Sequence, residues 1–168
     1  MTEDLNTIEQ MQLKEGVTAL HFRILPILKD ALELYKMDNH YPSSTRDLYA
    51  YLVHENFYQA YQSIFDRVIA CELPSNGLIQ VEELQHFGIT ANRYAMICAG
   101  TKRKFTVNVP KSFILVCEFI SIGLGWNKSA DLVYRALTER ILIAKLETQL
   151  NQLLTLEAYN SHHKHIQL

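Results

Sequence analysis

The chain has 168 residues, of which 48% are apolar, and a formal net charge of −2. Such a composition excludes a disordered polymer and suits one compact domain, or two small ones sharing a core. The longest apolar run, Phe113 to Cys117, is far too short to span a membrane, and Cys71, Cys98 and Cys117 are too scattered for a disulfide framework or a zinc site.

In chain order, Met1–Gln10 is acidic and polar, without the basic-then-apolar layout of a signal peptide. With the unpaired cysteines this predicts a cytoplasmic protein. Leu13, Val17, Leu20, Ile24, Ile27, Leu28, Ala31, Leu34 and Tyr35 recur at helical spacing, with Pro26 as a kink or break. Asn39 to Ser43 reads as a connector. Ser44-Thr45-Arg46-Asp47 fits a capping box opening a helix that would bury Leu48, Tyr51 and Leu52. A further helix would use Phe57, Tyr61, Ile64, Phe65, Val68 and Ile69. Pro74 to Gly77 is a turn, and two short helices are predicted at about 81–87 and 91–99. No internal repeat is evident, and residues 1–100 read as a helical domain.

The character changes at Thr101. Residues 1–100 carry seven Lys or Arg against thirteen Asp or Glu, whereas residues 101–145 carry eight against three. A basic module on an acidic body predicts that an acidic partner docks on the module. Within it, Phe105-Thr106-Val107-Asn108-Val109 alternates apolar and polar residues, as a half-buried strand does. Pro110 ends the strand, and Lys111 to Leu124 form a largely apolar helix closed by Gly125. Asn127 is a candidate N-cap for a second helix, with room to continue to about Tyr159.

A strand this short needs a partner, and no second strand is convincing in the sequence. Two copies pairing antiparallel would supply one, making a homodimer. Phe105, Val107 and Val109 would then face a shared core with Phe113, Val116, Ile120 and Leu137. Lys104, Thr106 and Asn108 would face outward, where such a ribbon can read base edges in the major groove of double-stranded DNA.

The basic lead-in Lys102-Arg103-Lys104, the alternating strand, Pro110, a helix of about a dozen residues and the turn Gly125-Trp126-Asn127-Lys128-Ser129 resemble the ribbon-helix-helix repressors of the MetJ/Arc/CopG type. The resemblance covers about residues 102–142, and 143–168 would be a helical extension and polar tail. It implies a transcriptional regulator, often a repressor. It also implies base contacts from Lys104, Thr106 and Asn108. Asn127, Lys128 and Ser129 at the second helix's N-terminus would form a phosphate clamp, with Lys102 and Arg103 as further phosphate contacts.

The segment departs from that family in its first helix, which is apolar nearly all round and so predicts that residues 1–100 pack over it. Ala136, Ile143, Leu146, Leu150 and Leu153 form a stripe suited to a dimer seam or to the N-terminal helices. A helix-turn-helix at 81–99, with Asn92 and Arg93 as contacts, is a second mode of DNA binding, and a helical interaction protein is the competing class. No catalytic motif, metal site or cofactor motif is found, and no effector is legible. The protein is not expected to be an enzyme.

Overall fold

The computed structural model of the chain describes residues 7–80 and 103–166, with side chains to residue 156. Among these the order is α1 (Thr7–Glu15), β1 (Val17–Ile24), α2 (Pro26–Asp38), α3 (Thr45–Ala60), α4 (Gln62–Ile69), β2 (Arg103–Pro110), α5 (Lys111–Leu124), α6 (Ala130–Lys145) and α7 (Glu147–Ile166). The fold is mainly helical around one two-stranded antiparallel sheet.

That sheet corrects the sequence reading at its centre. Val17–Ile24, expected as helix, is a strand, and it pairs with β2 from Val17↔Pro110 to Ile24↔Arg103. The residues fit either period. Val17, Leu20, Ile24 and Ile27 satisfy the helical one, while Leu20, Phe22 and Ile24 alternate with His21 and Arg23. The flanks decide between them. Gly16 takes φ 76°, ending α1, and Pro26 starts a new helix rather than kinking an old one. In the eight-residue strand between them, alternation buries Leu20, Phe22 and Ile24 and leaves Ala19, His21 and Arg23 outside. β2 therefore has its partner strand within its own chain.

A second correction follows from the spans. The chain contains an internal structural repeat, in which residue i corresponds to residue i+85. β1, α2 and α3 match β2, α5 and α6, and the serine N-caps Ser44 and Ser129 coincide, each accepting from the backbone N–H three residues on. α3 and α6 are both 16 residues long. Each is followed after one residue, Tyr61 or Leu146, by a further helix, α4 or α7. His40 and Gly125, at matching places after the first helices, both have positive φ. The sheet register obeys the same relation. His21↔Thr106 is its centre, and Leu20↔Val107 is exchanged with Phe22↔Phe105. Two strand-helix-helix units thus face each other across an approximate two-fold axis.

The core lies on that axis. Tyr49 and Tyr134 are counterparts, fully buried with ring centroids 6.3 Å apart, and Phe22 and Phe105 pack beside them at 5.8 Å from each other. Around these stand Phe57, Phe65 and Phe113, with Phe57 stacked on Phe113 at 5.1 Å. Phe105, Val107, Val109, Phe113, Val116, Ile120 and Leu137, expected in the core of a dimer, are buried in one chain.

α5 is covered by α4, as its apolar circumference required, with Arg67 over the Phe119 ring at 5.3 Å. Ile143, Leu146 and Leu150 are buried, and α7 packs on α2, so the helical stripe serves contacts within the chain. Three local expectations differ. Tyr51 is 68% exposed because α3 turns Tyr49 to the axis instead. The N-cap of α6 is Ser129 rather than Asn127. The long second helix breaks at Leu146. The two short helices expected at 81–99 lie outside the described residues.

His54 sits in this core, its Nε2 2.7 Å from the Tyr134 hydroxyl and its ring against Phe113. Loss of solvent pushes its pKa down to about 3. The unfolded chain takes up this proton near pH 6.5, whereas the folded chain takes it up only near pH 3. The resulting stability is complete above about pH 6.5 and is lost as pH falls through that window. Between pH 6 and 4 the native protein should lose up to about 1.4 kcal/mol per pH unit more than His54→Gln. Denaturant melts of both proteins across that range measure the difference. Parallel curves would contradict the burial of a neutral His54.

Candidate nucleic-acid interface

A two-stranded ribbon has two faces, and burial of one fixes the other. With Leu20, Phe22, Phe105 and Val107 inward, the outer face carries Ala19, His21 and Arg23 from β1 and Lys104, Thr106 and Asn108 from β2. All are exposed except Thr106, which is half-buried. At the centre, His21 Nδ1 and Thr106 Oγ1 are 2.9 Å apart. The backbone N–H of His21 points away from β2 and donates to Asp131 Oδ2 at 2.9 Å, which ties β1 to the first turn of α6.

The two ends of this face differ. At one end Arg23 lies directly opposite Lys104, and Arg103 follows next along β2. Like charges placed opposite each other in a sheet repel, and none of these three cations has an ion pair among the described residues. At the other end Ala19 lies opposite Asn108, a neutral pair.

The strand positions expected to read bases, Lys104, Thr106 and Asn108, therefore share one outward face. The sequence reading missed Ala19, His21 and Arg23, which complete it. Their signal was the alternation from Leu20 to Ile24, masked by the helical spacing of the same residues. Of the expected phosphate contacts, Arg103 is exposed at the ribbon's end, and Lys102 lies outside the described residues.

Asn127, Lys128 and Ser129 are exposed at the start of α6. Ser121 Oγ fastens this turn, accepting from Lys128 N–H and donating to the Lys128 carbonyl, both at 2.8 Å. The Lys128 amide is therefore engaged, while its side chain has no ion pair among the described residues. Asp131 places a carboxylate in the first turn of α6. Its counterpart in α3 is Arg46, which is followed by Asp47, so the first turn of α3 carries both signs where that of α6 carries a carboxylate alone. Asn92 and Arg93 lie outside the described residues, as does the helix-turn-helix they would serve.

Beside Asn108 an open cavity of about 820 Å³ runs between α1 and α3, lined among others by Tyr41, Arg46, Tyr51 and Glu55. Of the tyrosines on α3 and after it, Tyr49 and Tyr61 are core residues, whereas Tyr51 reaches this cavity. No described helix is long and apolar enough to cross a membrane. No known protein family matches the chain, and neither does any curated protein or solved structure.

Repulsion between Arg23 and Lys104 should be measurable. Lys104→Gln should raise stability by about 0.2–1 kcal/mol in low salt, with the gain shrinking as salt screens the pair. Urea melts at low and high salt test this. A loss of stability at low salt would mean that Lys104 has a counter-charge.

Proposed function

We propose that the protein is a sequence-specific DNA-binding protein, a transcriptional regulator, that lays the outer face of its β1–β2 ribbon in the major groove. The observation that carries this reading is the facing pair of cations Arg23 and Lys104 on the outer face of the ribbon. Arg23 and Lys104 lie directly opposite each other at one end of an exposed ribbon, without an ion pair among the described residues, and Arg103 adds a third positive charge at that end of β2. A polyanion relieves that repulsion on binding, and phosphate neutralisation releases counterions from the duplex.

The shape supports the same reading. A two-stranded ribbon fits the major groove, and Arg, Lys, Asn, Thr and His present the donors and acceptors that distinguish base pairs there. The resemblance of residues 102–142 to ribbon-helix-helix repressors agrees. Here, however, the second strand-helix-helix unit comes from residues 17–60 of the same chain, so a ribbon needs no second copy. On this reading the Lys128 side chain, ahead of Asp131, holds phosphate on one flank, and Arg46, beside Asp47 in the first turn of α3, holds it on the other.

Two sets of variants separate charge from base reading. Arg103→Ala with Lys128→Ala should weaken binding to all duplexes alike and lower the salt slope by about 1 for each cation. Thr106→Ala with Asn108→Ala should instead cost about 1–3 kcal/mol for each base-reading side chain removed and relax specificity. Titration of labelled duplexes at several salt concentrations distinguishes them. A folded protein that binds no duplex at low salt would leave the ribbon as a purely structural element of a helical interaction protein.

A further inference from the structure

A dimer of identical chains presents the same residues at both ends of its ribbon, so the DNA it reads tends to be palindromic. The approximate two-fold axis here relates residues that are not the same. Across it Ala19 corresponds to Lys104, His21 to Thr106, and Arg23 to Asn108. Beyond the ribbon Arg46 corresponds to Asp131, and Tyr41 to Trp126. In the core Tyr49 matches Tyr134 and Leu52 matches Leu137, and most other buried counterparts stay apolar while differing in size, such as Leu20 and Phe105 or Phe22 and Val107. The two-fold symmetry of burial therefore holds in the core, while the chemistry of the outward face differs between its two ends.

We infer that one chain occupies a complete DNA site and that this site is asymmetric, with a G·C-favouring half and an A·T-favouring half. The inference rests on the DNA-binding reading above and gives it a definite target. Because the strands are antiparallel, Arg23 and Lys104 fall at one end of the ribbon and Ala19 and Asn108 at the other. Arginine and lysine pair best with the O6 and N7 acceptors of guanine. Asparagine pairs in bidentate fashion with adenine, and an alanine methyl contacts the methyl of thymine.

The ribbon is thus a directional reader, with a cationic end for guanine and a short neutral end for A·T pairs. The side-chain hydrogen bond between His21 and Thr106 marks the middle of the site. The flanks add a second asymmetry. The first turn of α3 carries Arg46 beside Asp47, whereas the corresponding position of α6 is Asp131, already bonded to the His21 N–H, so the two flanks differ in charge.

The test is selection of the full chain on random duplex DNA, followed by native mass spectrometry on a short duplex bearing one copy of the selected motif. The expected result is a non-palindromic motif, richer in G·C on one side than on the other, bound by one chain. A palindromic motif, or two chains on one motif, would overturn the inference while leaving the DNA-binding reading intact. No enrichment by a folded protein would overturn both.

A second protein makes the two ends alike. The combination Ala19→Lys, His21→Thr and Arg23→Asn gives β1 the same outer residues as β2. These positions lie on the outer face, and circular dichroism checks that the fold is kept. The selected motif should become palindromic, and preference for the wild-type motif over its symmetrised form should fall from about tenfold or more to none. An unchanged motif would show that β1 does not read the DNA and would overturn the inference.

Discussion

A strand cannot leave its backbone N–H and C=O groups unpaired, and β2 has eight residues of them along one edge. The pairing of β2 with β1 meets that requirement, and much else in the structure follows from it. Its register places His21 opposite Thr106 and thereby fixes which residues face the core. It draws together the helices that follow each strand, because α3 and α6 must cover the same inner face from opposite sides. The Tyr49–Tyr134 contact on the axis is the packing consequence, and the outer face with its clustered cations is the functional one. A shift of one residue would turn Phe22 and Phe105 to solvent and bring Arg23 and Lys104 inside.

Having both units in one chain changes what the fold can do. Two copies of a single unit can vary only together, so a substitution that improves one half of the face alters the other. A tandem pair is free of that constraint wherever its residues do not meet at the axis. The chain shows this division: Tyr49 and Tyr134 remain matched on the axis and the inward positions remain buried, while the outward residues of the two strands have diverged in charge. Burial of one shared core by residues on both sides of position 101 also explains why the acidic N-terminal half and the basic segment form one body in the described residues.

Much of this was legible in the sequence, and the illegible part has a physical reason. β2 stood out because its alternation is bounded by basic residues and Pro110. The closing of α5 at Gly125 and the capping of α3 at Ser44 follow from backbone rules that local sequence obeys. β1 was hidden because Val17, Leu20, Ile24 and Ile27 satisfy the helical period as well as Leu20, Phe22 and Ile24 satisfy the strand period. The repeat was hidden because residues 17–69 and 102–154 are identical only at Glu33/Glu118, Ser44/Ser129, Tyr49/Tyr134 and Leu52/Leu137. Burial pattern, rather than identity, is what the halves share. With β1 unseen, half of the outer face was unseen too, and a second copy of the chain stood in for it.

The claim on which the account turns is that the ribbon closes within one chain. His21 sends its N–H to Asp131 rather than to β2, so His21 and Thr106 form a non-hydrogen-bonded pair, in which the two Cα hydrogens lie close together. Isotope-filtered NMR on an equal mixture of labelled and unlabelled chains tests this directly. The account predicts Hα–Hα cross-peaks for His21–Thr106 and Ala19–Asn108 among signals within a labelled chain, and none between labelled and unlabelled chains. Cross-peaks joining β2 of one chain to β2 of another would contradict it and restore a ribbon shared by two copies.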